Sequence, residues 1–226
     1  TRYDGYRFRV FKHDAADPMS IGNNFIRVLY EDADGLIWIG TNVGVYIYNP
    51  ETENFRKFDV ATERGDVISR EVSSIKCDSS GDLWIGVNWQ GVFRYDRRDE
   101  SLELYEPVPG DTTSLSSVHV WDLCFDGDGN LWVGSQNGGL DRYDRETDRF
   151  VRHRLKGLSD VSRIVLDKQN QLLLGTMKDG LFSFNPYMGT CQPLLLDSGH
   201  KDLFVRAIFV RNSREVVVGT ENGIYI

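Results

Sequence analysis

The chain has 226 residues, of which 12% are aromatic, with 22 glycines and a formal net charge of −8. That length allows a sizeable core in one or two domains, and the acidic balance argues against non-specific nucleic-acid binding or docking on anionic lipid. No apolar run approaches the roughly 20 residues that a bilayer-spanning helix needs, and Cys77, Cys124 and Cys191 are too few for a disulfide framework.

Thr1 to Phe11 reads as the end of one strand followed by another, because Arg2-Tyr3-Asp4 matches Arg142-Tyr143-Asp144 and Phe8 and Phe11 match Phe55 and Phe58. The chain is expected to open inside a repeat whose earlier part lies outside this sequence. After a polar link, Phe25 to Glu31 predicts a strand. Asp32-Ala-Asp-Gly35 predicts a tight turn, with Asp bending the chain and Gly supplying positive φ. Leu36 to Thr41 is a second strand and Val45 to Tyr48 a third, closed by Pro50, which cannot donate to a ladder. Phe55 to Asp59 is the fourth. Four strands in roughly 45 residues read as one antiparallel propeller blade.

The unit then recurs. Leu36-Ile-Trp-Ile-Gly-Thr41 returns as Leu83-Trp-Ile-Gly-Val87 and Leu131-Trp-Val-Gly-Ser135, and more weakly as Leu172-Leu-Leu-Gly-Thr176 and Val216-Val-Val-Gly-Thr220. The glycines are spaced by 46, 48, 41 and 44 residues. The predicted fold is therefore all-β: a β-propeller of four-stranded antiparallel blades, about five present. A partial blade covers 1–13, complete blades cover 24–59, 70–105, 118–154 and 160–196, and an incomplete one covers 203–226. The strand at Tyr6 to Phe11 could close a five-blade ring, although Arg2-Tyr3 would then duplicate the strand at Tyr225. Two apolar columns, one through Ile26, Val72, Val120, Val161 and Val205 and one through Leu29, Ile75, Leu123, Ile164 and Ile208, mark the faces buried between blades. Trp38, Trp84 and Trp132 form a third packing column. Cys77 and Cys124 lie in apolar strands and read as buried thiols.

The repeat core Asp-x-x-Gly-x-Leu-Trp-Ile-Gly-Thr, followed by Gly-Gly-Leu-x-x-Tyr-Asp, is nearly complete in Asp128 to Asp144. It resembles the two-component regulator propeller repeat over essentially the whole chain, most specifically in the first three units. The resemblance implies an arc of a seven-bladed propeller in the sensor region of a hybrid two-component histidine kinase of Bacteroidetes type. It places that region at the periplasmic face of the inner membrane, beside a further propeller and a β-sandwich domain, and working as a homodimer. It implies oligosaccharide sensing in glycan utilisation, no nucleic acid bound by this segment, and membrane attachment only through a helix outside it. The kinase itself would also lie outside, leaving this segment non-catalytic.

Direct chemistry is sparse. Asp126-Gly-Asp-Gly-Asn130 resembles the start of a calcium loop, but position 12 is Asn137 where a bidentate Glu is needed. No nucleophile elbow appears. His13, His153 and His200 read as solvated, no metal site is indicated, and no cofactor is expected. The loops joining second to third strands lie on one face around the channel, where ligands enter concave sites. They carry Asn42, Asn88, Trp89, Gln90, Gln136, Asn137 and Lys178. Amides donate and accept, as hydroxyl-rich ligands require, and an exposed indole can stack on a sugar. Beside them lie Arg70, His119, Trp121, Arg163 and Arg206. These twelve residues are the ligand-binding candidates, and Trp89 is foremost because a tight turn does not require Trp. Two other readings stand beside ligand sensing: a propeller scaffold that only positions a dimer, and a metal-dependent propeller lyase of the streptogramin-inactivating type, for which His119 alone is suitably placed. Turns on the opposite face, including Arg97-Arg98 and Arg145-Glu146, read as solvated.

Overall fold

The computed structural model describes residues 1–155, 158, 160–194 and 203–226. His200 and the last two residues of the fourth expected blade, 195–196, lie outside them. The described residues form an all-β propeller arc. A short hairpin, β1 (Arg2–Tyr3) with β2 (Phe8–Arg9), precedes the first blade. That blade contains β3 (Ile26–Glu31), β4 (Ile37–Thr41), β5 (Gly44–Asn49) and β6 (Asn54–Lys57). The second contains β7 (Val72–Cys77), β8 (Leu83–Val87), β9 (Gly91–Asp96) and β10 (Ser101–Tyr105). The third contains β11 (Val120–Phe125), β12 (Leu131–Ser135), β13 (Gly139–Asp144) and β14 (Arg149–His153). The fourth contains β15 (Val161–Leu166), β16 (Leu172–Thr176), β17 (Leu181–Asn185) and β18 (Thr190–Leu194). The fifth shows three strands, β19 (Val205–Val210), β20 (Val216–Thr220) and β21 (Gly223–Tyr225). Among the described residues the strands of each sheet pair antiparallel with their sequence neighbours.

The repeated motif has a hydrogen-bonding cause that packing alone does not supply. The indole N–H of Trp38 donates to Asp32 at 2.8 Å, Trp84 to Asp78 at 3.0 Å and Trp132 to Asp126 at 2.8 Å. The other oxygen of each aspartate accepts backbone N–H groups of its own turn. One carboxylate thus shapes the turn and ties it to the blade core. The fourth blade keeps the turn through Asp167 but has Leu173 in place of Trp.

The glycine of the second strand answers to the next blade. A Cβ on Gly40, Gly86, Gly134 or Gly175 would sit only 2.6–2.9 Å from the side chain of Val72, Val120, Val161 or Val205 respectively. Those valines are fully buried. The fold therefore repeats Gly wherever the following inner strand closes in.

Further ties cross between blades. Arg97 reaches Asp32 and Asp34 of the first blade, and Arg145 reaches Asp78 of the second at 2.8 Å. These arginines are cross-blade clamps, which corrects their reading as solvated turns. Asp122 binds three inner strands at once: its carboxylate accepts from Ser74 Oγ at 3.0 Å, Leu123 N at 2.9 Å and Ile164 N at 3.1 Å. Burial raises its pKa against those hydrogen bonds. Cys124 is a buried free thiol pushed up to about 11 by burial, and Cys77 is half-buried.

The arc is open at both ends. Leu29 is 63% exposed, whereas its counterparts Ile75, Leu123 and Ile164 are buried. Ile26, Leu29, Ile37 and Ile39 border a cavity of about 400 Å³, partly roofed by Phe11 on Tyr48 and Phe55. At the far end Phe209, Ile224 and Ile226 are exposed. β2 pairs with β1 and not with the fifth blade, so the Tyr6 to Phe11 segment closes no five-blade ring.

These packing differences predict a paired result in chemical denaturation. Gly86→Ala overpacks the second junction and should destabilise by about 1–3 kcal/mol. Gly219→Ala, whose nearest obstacle is Ala207 Cβ at 3.6 Å, should change stability by less than about 0.5 kcal/mol.

Candidate functional site

The loops after the second strands and the starts of the inner strands share one end of the propeller. Each inner strand begins with a β-bulge: the register shifts between Ile26 and Val28, Val72 and Ser74, Val120 and Asp122, Val161 and Arg163, and Val205 and Ala207. The extra residues are Arg27, Ser73, Trp121, Ser162 and Arg206. A bulge re-aims a side chain and bends its strand, so the channel rim carries side chains that strict alternation would place elsewhere. Two candidates, Trp121 and Arg206, are themselves bulged residues.

Trp89 is the most distinctive residue of the rim. It is 65% exposed and holds φ at +70°. Asn137 occupies the same loop position at +58°, a conformation ordinary for Asn and costly for a bulky aromatic. The indole meets the His119 ring edge-on at 4.1 Å. His119 Nδ1 faces Asn88 Oδ1 at 3.2 Å. An amide oxygen accepts, so Nδ1 is the donor in that contact. Trp89, Asn88 and His119 thus form one cluster between the second and third blades.

A second cluster lies further round. Trp121 packs against Phe204 with ring centroids 6.3 Å apart, and the Arg206 guanidinium lies 3.7 Å from the Phe204 centroid. The Trp121 indole N–H is shut off from solvent and has no hydrogen-bond partner among the described residues. Arg206 pairs with Glu221, and Arg163 donates to the Arg206 carbonyl at 2.8 Å and to its own neighbour Ser162. Arg163 therefore ties the fourth inner strand to the fifth.

The remaining candidates separate by role. Gln90 is a latch, donating to Val67 O at 3.0 Å and accepting from Ser69 N and Arg70 N at 3.0 and 3.1 Å. Asn42 accepts from Arg27 at 2.7 Å. Gln136 and Asn137 bond through their backbone N–H groups, to His119 O and Asp160. Arg70, Asn137 and Lys178 are exposed, and Gln136 is half-buried. Phe204 was not legible as a site residue. Its only sequence signal is an aromatic standing just before an inner-strand valine, where His119 stands in the third blade. His153 corrects the expectation that it is solvated: it lies half-buried between Trp132 and Phe184. Among the described residues no three His, Cys, Asp or Glu side chains converge as metal ligands.

Beneath the rim, Asp141 is fully buried where the other blades place Tyr46, Phe93 or Phe182. One oxygen accepts from Ser116 N and Oγ, and the other has no partner among the described residues. Burial pushes its carboxyl up to about 6, opposed by Ser116 and Arg152. The folded chain therefore holds this proton more tightly than the unfolded chain does. The contribution to stability is greatest below about pH 4 and declines as pH rises to about 6, by at most on the order of 2–3 kcal/mol. Asp141→Asn should flatten that decline, as read from urea midpoints of both proteins between pH 4 and 7.

Comparison with known proteins follows the fold. The family model described as two component regulator propeller matches residues 20–43 and 114–137. The chain thus contains two segments similar to that repeat. It is similar to the extracellular domain of the hybrid two component system BT3049 from B. thetaiotaomicron, with TM-score 0.81 and 24% identity, covering 98% of this chain and 30% of that one. The corresponding domain of BT4673 from the same organism gives 0.78 and 22%, covering 90% of this chain and 28% of that one. The chain thus spans under a third of the length of these structures. Virginiamycin B lyase from Staphylococcus aureus shares the fold at TM-score 0.64 and 13% identity, covering 88% of this chain and 68% of that one. No curated protein sequence matches.

A test of the rim follows from the strained backbone. Trp89→Gly should leave the unfolding free energy within about 1 kcal/mol, because relief at positive φ offsets the lost His119 contact. A larger loss would make Trp89 a structural residue.

Proposed function

We propose that this chain is part of the extracytoplasmic ligand-sensing input region of a hybrid two-component sensor. Its rim would bind a carbohydrate, in keeping with regulation of glycan utilisation. The observation that carries the reading is Trp89, an exposed indole held at φ +70° beside His119 on an amide-bearing rim. Folding alone gives no reason for a bulky aromatic there, whereas stacking on the apolar face of a sugar does. The repeats and the similarity to extracellular domains of hybrid two-component systems support the assignment to a sensor.

On this reading the whole protein is a histidine kinase of Bacteroidetes type at the periplasmic face of the inner membrane. Its remaining propeller and β-sandwich domains and a second copy of the protein are the partners. The ligand biases one arrangement of these domains, which requires different affinities for the two states.

The experiment is a thermal-shift screen of the chain against plant and host oligosaccharides. A ligand at about 100 times its Kd should add roughly 2.7 kcal/mol of stability, and Trp89→Ala should remove the shift without lowering the melting temperature of the free protein. A folded sample that responds to no saccharide would favour a scaffold that only positions a dimer.

A further inference from the structure

The junction between the third and fourth blades departs from the junction before it at four positions, and all four border one cavity on the face opposite the rim. At the earlier junctions a turn arginine reaches back to the preceding blade, Arg97 to Asp32 at 3.3 Å and Arg145 to Asp78 at 2.8 Å. Pro186 holds that position in the fourth blade, and the amide of Asn130 bonds Asp126 instead, at 3.0 Å.

The second departure concerns an arginine on the tryptophan column. In the second blade Arg94 lies over Trp84 and pairs with Asp82 at 2.7 Å and with Glu103, its cross-strand neighbour, at 3.7 Å. Its counterpart Arg142 meets Asn130 and Val151 at those two positions. Among the described residues no carboxylate lies within ion-pair distance of Arg142. The last departure is His153, whose ring packs tilted against Trp132 at 4.9 Å where Phe58 packs against Trp38 and Tyr105 against Trp84. Its Nε2 is enclosed and has no hydrogen-bond partner among the described residues.

Together these exchanges remove one arginine plug, strip another arginine of two carboxylates and put a polar ring in an aromatic slot. What remains is a cavity of about 300 Å³ bordered by Asp128, Asn130, Arg142, His153, Pro186 and Tyr187. Tyr187 is 65% exposed, and its hydroxyl accepts from Asn170 at 2.6 Å. The volume lies at the small end of ligand sites. Asp126 and Asp128 on the cavity wall disfavour an anion, and Arg142 on the same wall disfavours a simple cation. A neutral polyol satisfies both charges, since its hydroxyls donate to a carboxylate and accept from a guanidinium or amide. An exposed tyrosine ring offers a face for its CH groups.

We propose that this notch is a binding subsite for one neutral hexose or pentose unit. It stands apart from the rim, and either reading can fail without the other. The test is titration of the chain with D-glucose, D-galactose, D-mannose, D-xylose and D-glucuronate, read by NMR at the Tyr187 and His153 rings and at the Trp89 indole. At least one neutral sugar should shift Tyr187 and His153, and glucuronate should bind more weakly. Arg142→Gln should weaken binding about tenfold, the loss of roughly one charge-assisted hydrogen bond. Val151→Glu recreates the cross-strand carboxylate that Arg94 meets in the second blade, at an exposed position opposite Arg142. It should abolish binding while the melting temperature holds or rises, which separates loss of the site from loss of the fold. The assignment is overturned if no neutral sugar moves Tyr187 and His153, if glucuronate alone does, or if Val151→Glu binds as well as the parent. Shifts confined to Trp89 would overturn it too, while leaving the rim reading intact.

Discussion

The hydrogen bond from a buried indole to a turn aspartate is the constraint on which this propeller rests. A tryptophan buried between two blades brings a large apolar surface, and it also brings an N–H that must find an acceptor. Asp32, Asp78 and Asp126 provide it, and the same carboxylates fold the hairpins that aim the second strands. Turn, strand and inter-blade core are therefore specified by one residue pair, repeated. Where the tryptophan is absent, in the fourth blade, the aspartate still makes its turn, and Leu173 fills the core by packing alone.

Blades built this way are held to one another by polar ties at both ends. On one side arginine clamps seize the turn aspartates of the preceding blade. Along the channel Asp122 binds three inner strands through its two oxygens. The bulges that begin every inner strand leave room for such side chains and put others, such as Trp121 and Arg206, on the rim. Structure and recognition thus draw on the same local irregularity, and the difference between them is whether a polar group finds its partner within the chain.

Much of the fold was legible because it is repeated: Leu-Trp-Ile-Gly fixes a strand, the aspartate a turn, and the roughly 45-residue spacing a blade. The reason for the glycine was not legible, since Val72 or Val120 approaches it only in three dimensions. The Asp122 tie joins residues 42 to 48 positions away, and no local pattern announces it. A bulge adds one residue without disturbing the apolar columns, so it escapes a reading by alternation. On the rim, the loop row was legible from turn chemistry, and Trp89 stood out as chemically unneeded. Gln90, equally visible, proved to be a latch, because the link it secures is 20 to 23 residues upstream. The notch between the third and fourth blades was present in the sequence as Asn130, Val151, His153 and Pro186, each ordinary alone. It becomes visible only when the repeats are laid over one another and their contacts compared.

Four of the five tryptophans therefore divide into two classes: three that hold blades together through carboxylates, and one whose indole is exposed on the rim. Hydrogen exchange of the indole N–H groups, followed by NMR in D2O, measures that division directly. The account predicts slow exchange for Trp38, Trp84 and Trp132 and exchange at the solvent-exposed rate for Trp89. Protection of Trp89 equal to the other three, or free exchange at any of those three, would contradict it.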